Sequence, residues 1–286
     1  MSRTWLITGT SSGFGRELTT AALDRGDRVA ATARRPEVHD DLRSAHPDRL
    51  LTYTLDVRDV AAVRWVVDQA FADLGRIDVV VSNAGYALLG AAEECTQKQI
   101  SDQLDTNVLG SIHLARCVVP HLRAQGGGRI MQLSSMGGQV AFPGLSVYHA
   151  SKWAMEGFYE AFGPEVAAFG IQTCLVEPGG AQTDFSGRSM VWAEPLDAYA
   201  DTAVETMRAN ADKPEMVPGD PAKMAAAMIE AADADVLPKR LLLGSDAYGQ
   251  VTAALTERLA AIEAQRTTAL ATDAQDHVLA SSPLRP

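Results

Sequence analysis

Thr4-Trp5-Leu6-Ile7-Thr8-Gly9-Thr10-Ser11-Ser12-Gly13-Phe14-Gly15 is a short apolar run that breaks into closely spaced glycines. Phe14, Leu18 and Ala22 then recur at helical intervals until Gly26, so the segment reads as strand, glycine turn, helix. Glycines let a backbone approach a pyrophosphate closely, and the helix N-terminus behind them offers free N–H groups and a positive dipole end. The spacing is G-x-x-x-G-x-G, not the G-x-G-x-x-G fingerprint of many dinucleotide sites. Taken alone, structural glycines explain such a turn about as well as a ligand does.

Outward from this turn the same alternation repeats. Arg28–Thr32 reads as a second strand that exits through Ala33-Arg34-Arg35. A carboxylate there would bind the ribose 2′-hydroxyl of NAD, whereas an arginine suits the 2′-phosphate of NADP. Arginines at a strand exit are commonly just solvated, but beside the glycine turn Arg34 favours NADP(H) over NAD(H). Leu50–Leu55 is a third strand ending at Asp56-Val57, where the Asp could accept from an adenine amino group or cap the next helix. Ala61–Leu74 places Val63, Val66, Val67, Ala70 and Phe71 on one helical face. Val79-Val80-Val81 is a buried parallel-type strand that runs into the polar turn Ser82-Asn83-Ala84-Gly85, and ligands of such sheets bind at carboxyl ends.

A helix is expected across Ile100–Leu122 with Asn107 in its middle, a poor interior residue that suggests a specific hydrogen-bonding task. Further strands are expected at Arg129–Leu133, Ile171–Val176 and Arg240–Leu243. Periodicity fades over 185–220, where Met190, Trp192, Tyr199 and Met216 fit a partly apolar lid or a surface excursion equally well. A helix follows at Pro221–Ala232, and a last one from Ala247 carries Val251, Leu255, Leu259 and Ile262; with its tail it fills 245–286, fraying at Ser281-Ser282-Pro283. No linker or repeat divides residues 1–286, so one domain is expected.

The segment Ser134–Lys152 carries the chemistry. Tyr148 and Lys152 stand one helical turn apart on one face, and Ser135 comes from the preceding loop. A free phenol has a pKa of about 10, which a neighbouring cation lowers, and a serine hydroxyl could hold a substrate oxygen against it. Such a trio is an acid/base site for a carbonyl or an alcohol. Tyr and Lys at this spacing are also common on ordinary helices, so the context decides. Gly163-Pro164, later in the same helix, should kink it.

Composition narrows the classes. A formal net charge of −11 argues against nucleic acid or an anionic membrane as partner. The longest uncharged stretch, Ile130–Ser151, is interrupted by Gly, Pro and polar residues and cannot span a bilayer. The N-terminus shows no signal-peptide pattern, and Cys95, Cys117 and Cys174 read as buried thiols of a reducing cytoplasm. The histidines show no metal-ligand spacing.

Assembled, these features resemble the short-chain dehydrogenase/reductase family. Its T-G-x-x-x-G-x-G is similar to Thr8–Gly15, its N-N-A-G to Ser82–Gly85 and its Y-x-x-x-K to Tyr148–Lys152. Its catalytic Ser and Asn fall at Ser135 and Asn107, and its P-G-x-x-x-T at Pro178, Gly179 and Thr183. The resemblance implies a single Rossmann-like, doubly wound parallel sheet of about seven strands in order 3-2-1-4-5-6-7, with helices on both faces. It implies hydride exchange between a nicotinamide and a carbonyl or secondary alcohol, here of a rather apolar small molecule, in a homodimer or homotetramer. Tyr148 would be the general acid/base, Lys152 would lower its pKa and hold the nicotinamide ribose, Ser135 would orient the substrate oxygen, and Asn107 would hold a relay water. Gly9, Ser11, Ser12, Gly13, Phe14 and Gly15 would cradle the cofactor. Arg34 would meet its 2′-phosphate, Asp56 and Val57 its adenine, and Asn83, Ala84 and Gly85 the ribose side. Pro178, Gly179 and Thr183 would line the nicotinamide end, Thr183 at the carboxamide.

The sequence departs from the pattern at Ser82, which replaces an Asn. Ser12 stands where NADP-using members often carry a basic residue, which leaves Arg34 as the evident phosphate anchor. Gly163-Pro164 falls on a helix that the family uses for subunit packing. The rival reading is an NADP(H)-binding sensor or scaffold without turnover; relatives of that kind typically lose the Tyr/Lys pair or the Ser, and this chain keeps all three.

Overall fold

The structure is a computed structural model that describes residues 2–183, 189–211 and 217–273. Its strands are β1 (Thr4–Thr8), β2 (Arg28–Ala33), β3 (Leu50–Thr54), β4 (Val79–Ser82), β5 (Ala87–Leu89), β6 (Gly128–Leu133), β7 (Ile171–Pro178), β8 (Met190–Trp192) and β9 (Arg240–Leu243). Seven of them form one parallel sheet in the order β3-β2-β1-β4-β6-β7-β9. Counted along the chain within that sheet, this is the expected 3-2-1-4-5-6-7. The remaining two, β5 and β8, pair parallel in a separate ribbon with Ala87 opposite Met190 and Leu89 opposite Trp192.

The helices are α1 (Gly13–Asp24), α2 (Asp40–Ala45), α3 (Val60–Leu74), α4 (Gln97–Leu104), α5 (Gly110–Ala124), α6 (Ser146–Ala167), α7 (Ala203–Asn210), α8 (Pro221–Asp233), α9 (Ser245–Ala264) and α10 (Arg266–Leu270). Strand side chains alternate between faces, so each strand supplies two cores. Trp5 and Ile7 point with Val79, Val81 and Met131 toward Leu18 and Leu23 of α1 and Met228 of α8. Leu6, Val80 and Ile130 point the other way, toward Val67 of α3, Leu114 of α5 and Tyr159 of α6. A strand with both faces covered must be apolar throughout, which is why Val79–Val81 shows no alternation.

Some expectations need correction. The helix foreseen across Ile100–Leu122 is two helices, α4 and α5, joined by a π-helical turn at Asp105–Leu109. The segment 185–220 is not without regular structure: it contains β8 and α7, while its Phe185 and Met216 lie outside the described residues. α6 continues through Pro164 to Ala167 without ending there, and Gly163 is accounted for by crowding, since a Cβ there would lie 2.8 Å from Thr173 Oγ1 on β7. On α9 only Val251 of the apolar set is buried, and Leu255, Leu259 and Ile262 are exposed. The Ser281-Ser282-Pro283 tail lies outside the described residues. The cysteines are all free, but only Cys174 is buried, with Cys95 and Cys117 half-buried. No described helix is long and apolar enough to cross a membrane.

Candidate active site

Every motif residue lies at or just beyond the carboxyl edge of the large sheet, because parallel strands all deliver their ends to one side. At the end of β1, Gly9 has φ +69°, and a Cβ on it would stand 2.7 Å from Ala84 Cα. A Cβ on Gly15 would lie 2.4 Å from both Asn83 Nδ2 and the Gly9 carbonyl oxygen. Gly13 also has positive φ, +55°, but its missing side chain faces open space. Ser12, the N-cap of α1, makes no side-chain cap, and the first turn holds no acidic residue. The N–H groups and positive end of α1 are thus left for an anion, and Gly13 keeps the approach clear. The cradle fits a pyrophosphate.

Asn83 also anchors the glycine turn. Its amide donates to the carbonyls of Thr8 and Gly9 at 2.9 Å each, and Thr8 Oγ1 accepts from the N–H groups of Asn83 and Ala84 at 3.0 and 3.1 Å. The polar turn after β4 therefore fixes the glycine turn. Gly85 stands close to Asn107, whose Oδ1 would be 3.1 Å from a Cβ there. Ser11 is exposed and Ser12 half-buried, while Phe14 packs into the core of the α1 side.

On the far side of the turn Arg34 is exposed at the exit of β2. The Asp56 carboxylate is held by Arg58, through its backbone N–H at 3.0 Å and its guanidinium at 2.7 Å. The Arg58 hydrogen bond, aided by the charge of Arg34, keeps the Asp56 carboxyl below the usual carboxylate range. Asp56 does not cap α3; Asp59 does, accepting from Ala61 and Ala62 N–H at 3.0 Å each. Val57 is buried against the start of α5, where a Cβ on Gly110 would be 2.8 Å from its Cγ2. The sequence reading missed His39, whose Nε2 lies 2.7 Å from Thr10 Oγ1 beneath the turn.

At the other end of the edge, Ser135 follows β6 in extended conformation and its Oγ accepts from Gly137 N–H at 3.0 Å. It is also hydrogen-bonded to Tyr148. Lys152 Nζ sits 5.7 Å from the Tyr148 ring centre and donates to the Leu133 carbonyl at 2.8 Å. Ser135, Tyr148 and Lys152 thus converge as their spacing implied. Burial brings the Lys152 ammonium down to about 8, with Glu156 opposing the fall. Burial also pushes the Tyr148 phenol up, opposed by the Ser135 hydrogen bond. Loss of water outweighs that bond, so the phenol stands above its ordinary value.

Asn107 lies on the π-turn, where one extra residue per turn aims a side chain off the regular helical path. Its Oδ1 accepts from Tyr86 N–H at 3.1 Å, and its Nδ2 donates to Tyr86 O at 2.9 Å and Ser151 Oγ at 3.1 Å. The hydrogen-bonding task inferred from the sequence is real, with protein groups as partners. After β7, Gly179 N–H donates to Leu243 O and Gly180 N–H to Asp246 Oδ2, both at 2.8 Å, which fixes the turn that leads to Thr183. Pro178 closes β7.

A further residue unforeseen from sequence is His149. Its Nδ1 is 2.9 Å from the Gly137 carbonyl and its Nε2 accepts from Phe142 N–H at 2.9 Å. It ties the Ser135 loop to the first turn of α6. Its position next to Tyr148 was the available signal, but nothing in the spacing marked the loop as its partner.

Residues 3–193 match the family described as short chain dehydrogenase. The oxidoreductase BOA17 of Botryotinia fuckeliana is 38% identical over 86% of this chain and 90% of its own length. The 3-ketodihydrosphingosine reductase of Bacteroides thetaiotaomicron is 34% identical over 71% of this chain and 74% of its own. The crystal structure of a short-chain dehydrogenase from Streptomyces avermitilis is 40% identical, covers 95% of this chain and 98% of its own, and superposes with a TM-score of 0.89. More distant structures solved with NADP bound, at 24% and 21% identity, share the fold alone.

Proposed function

From the premise that this chain belongs to the short-chain dehydrogenase family and is an oxidoreductase, we propose that it moves a hydride between NADP(H) and a carbonyl or secondary alcohol of an apolar small molecule. The observation that carries the reading is the meeting of Ser135, Tyr148 and Lys152 at one sheet edge, beside an open helix N-terminus. The nicotinamide, when bound, supplies or takes the hydride. Gly9, Gly13 and Gly15 with the first N–H groups of α1 would hold the pyrophosphate of the dinucleotide, and Arg34 would hold its 2′-phosphate.

In the reducing direction Tyr148 gives its proton to the substrate oxygen as the carbonyl carbon takes the hydride; in oxidation the phenolate takes that proton back. The raised phenol pKa suits an acid that must stay protonated until it acts. Ser135, already hydrogen-bonded to the phenol, holds the substrate oxygen beside it and stabilises its developing charge. Lys152, brought near neutrality by burial, supplies the positive field that eases proton loss from Tyr148. Asn107 keeps α6 and residue 86 in register. The apolar bias rests on Met190 and Trp192 of β8, half-buried beside β5, and on the 3-ketodihydrosphingosine named for the Bacteroides relative. A cytoplasmic setting and association as a homodimer or homotetramer belong to the same reading.

The test is NADPH and NADH consumption by wild type and Tyr148→Phe against a panel of ketones, aldehydes and quinones. Turnover with NADPH that falls at least 100-fold in the variant, with NADPH binding retained, is the expected result. Unchanged turnover in Tyr148→Phe removes the mechanism. Binding of NADPH without turnover of any carbonyl returns the sensor reading.

A further inference from the structure

One turn beyond Lys152 on the same face of α6 lies Glu156, and at the end of β7 lies Glu177. Their exposures are 6% and 2%. Gln139, four residues past Ser135, donates to both: to Glu156 Oε2 at 3.2 Å and to Glu177 Oε1 at 3.1 Å. Arg240 of β9 reaches Glu156 Oε2 at 3.1 Å, Glu177 Oε1 at 2.9 Å and Glu160 at 2.5 Å. Ser134, at the end of β6, gives its hydroxyl to Glu156 Oε1. Sharing the Gln139 amide and the Arg240 guanidinium brings the two buried carboxyl groups side by side.

The charges here do not balance. One guanidinium faces three carboxyl groups, two of them out of water, and the next cation along α6 is Lys152. Two carboxylates in mutual contact cannot both ionise freely; a shared proton relieves the repulsion and makes their contact a hydrogen bond. We propose that Glu156 and Glu177 share one proton at neutral pH and act as positioning residues that set the charge behind Lys152. The pair's link to turnover rests on the reading of Lys152 and Tyr148 given above; the shared proton does not.

Loss of water and the Glu156 charge push the Glu177 carboxyl up to about 7. Desolvation, and then the same two glutamates, push the nearby Cys174 thiol up as well. Glu156 is the group that resists the fall of Lys152. Among the described residues, Arg240 on β9 reaches both carboxyl groups and also pairs with Glu160 on α6. Below neutrality the pair carries one negative charge. Above it the pair carries two, which hold the Lys152 ammonium more firmly in its protonated form.

The experiment is an NMR titration of the full chain without any substrate. With glutamate labelled at Cδ, one carboxyl resonance of the wild type is expected to titrate near neutral pH and to be missing from Glu177→Gln. If every glutamate completes its titration within about one unit of the ordinary value near 4.3, the pair does not share a proton and the proposal falls. With lysine labelled at Cε, Lys152 is identified by its loss in Lys152→Met. Its midpoint should drop by about half a unit in Glu177→Gln, where one buried charge is gone, and return in Glu177→Asp. A merely structural role lowers the unfolding temperature without moving that midpoint, and an unmoved midpoint overturns the coupling. If Glu177→Gln does not fold, the wild-type glutamate titration still decides. Loss of activity in Tyr148→Phe is measured separately, so failure of the catalytic reading cannot be mistaken for failure of the carboxyl pair.

Discussion

Glu94 and Arg208 are 114 residues apart in the chain and meet at 2.8 Å, with the Glu94 side chain wholly out of solvent. The same carboxylate accepts from Ala91 N–H at 2.7 Å and Leu196 N–H at 2.9 Å. It therefore ties α7 and the chain after β8 to the turn after β5. Although burial raises the Glu94 carboxyl, these bonds and Arg208 hold it below the usual range. Arg208→Met leaves that carboxylate buried without its cation and should destabilise the protein by about 3 kcal/mol. Urea unfolding measures the loss, and faster proteolysis within 189–211 shows whether it is local. Stability equal to wild type would mean that the pair does not latch this segment.

The glycine turn makes a graded prediction. Gly13→Ala meets no atom and suffers only its positive φ, a cost of about 1 kcal/mol. Gly15→Ala drives a methyl into Asn83 and the Gly9 carbonyl and should cost about 3 kcal/mol or more. Urea midpoints and NADPH titrations on the two variants check the order. Equal effects would mean that the turn is looser than its geometry indicates.

Arg34→Ala should weaken NADPH binding by about 10- to 100-fold, the worth of a charge-assisted hydrogen bond, and leave NADH binding unchanged. Calorimetric titration with each cofactor reads the ratio. Equal weakening of both would place Arg34 away from the 2′-phosphate.

His149 carries a pH dependence. Burial pushes its pKa down from 6.5, opposed by its bond to Gly137 O, because Nε2 must stay unprotonated to accept from Phe142. The folded state thus binds fewer protons than the unfolded one. Its contribution is complete above about 6.5, the unfolded value, and is lost as the pH falls toward the lowered folded value. Unfolding free energy measured at pH 7 and pH 5 should fall for wild type by more than for His149→Gln. An identical fall in both would assign the acid sensitivity to other groups.

Asp59→Ala removes the two hydrogen bonds at the N-terminus of α3 and should cost about 1 kcal/mol. Because Asp59 lies outside the site, NADPH affinity should stay at the wild-type value. A drop in affinity would show that α3 positions the adenine side.

The strand order followed from the family resemblance, whereas the strands, the turns at their carboxyl ends and the shared face of Tyr148 and Lys152 were legible residue by residue. Each of these is written in local chemistry: glycines where side chains cannot fit, an unbroken apolar run for a strand covered on both faces, and a one-turn spacing on a helix. Parallel connections then leave little choice of where the strand ends point. What tertiary structure decided are the partners. Asn83 and Asn107 were legible as polar residues with a task, but their carbonyl, amide and hydroxyl partners come from elements that only packing brings near. The π-turn at Asp105–Leu109 follows from no local pattern, since a single extra residue is invisible to periodicity. Glu156 shares the spacing that revealed Tyr148 and Lys152, yet its meaning depends on Glu177 and Arg240, which reach it from two other strands. The ties from Glu94 to Arg208 and from β5 to β8 are likewise long-range, and β8 and α7 are short elements held by distant neighbours. Local physics fixes which groups can do chemistry; the desolvation and company that set their charge exist only once the chain has folded.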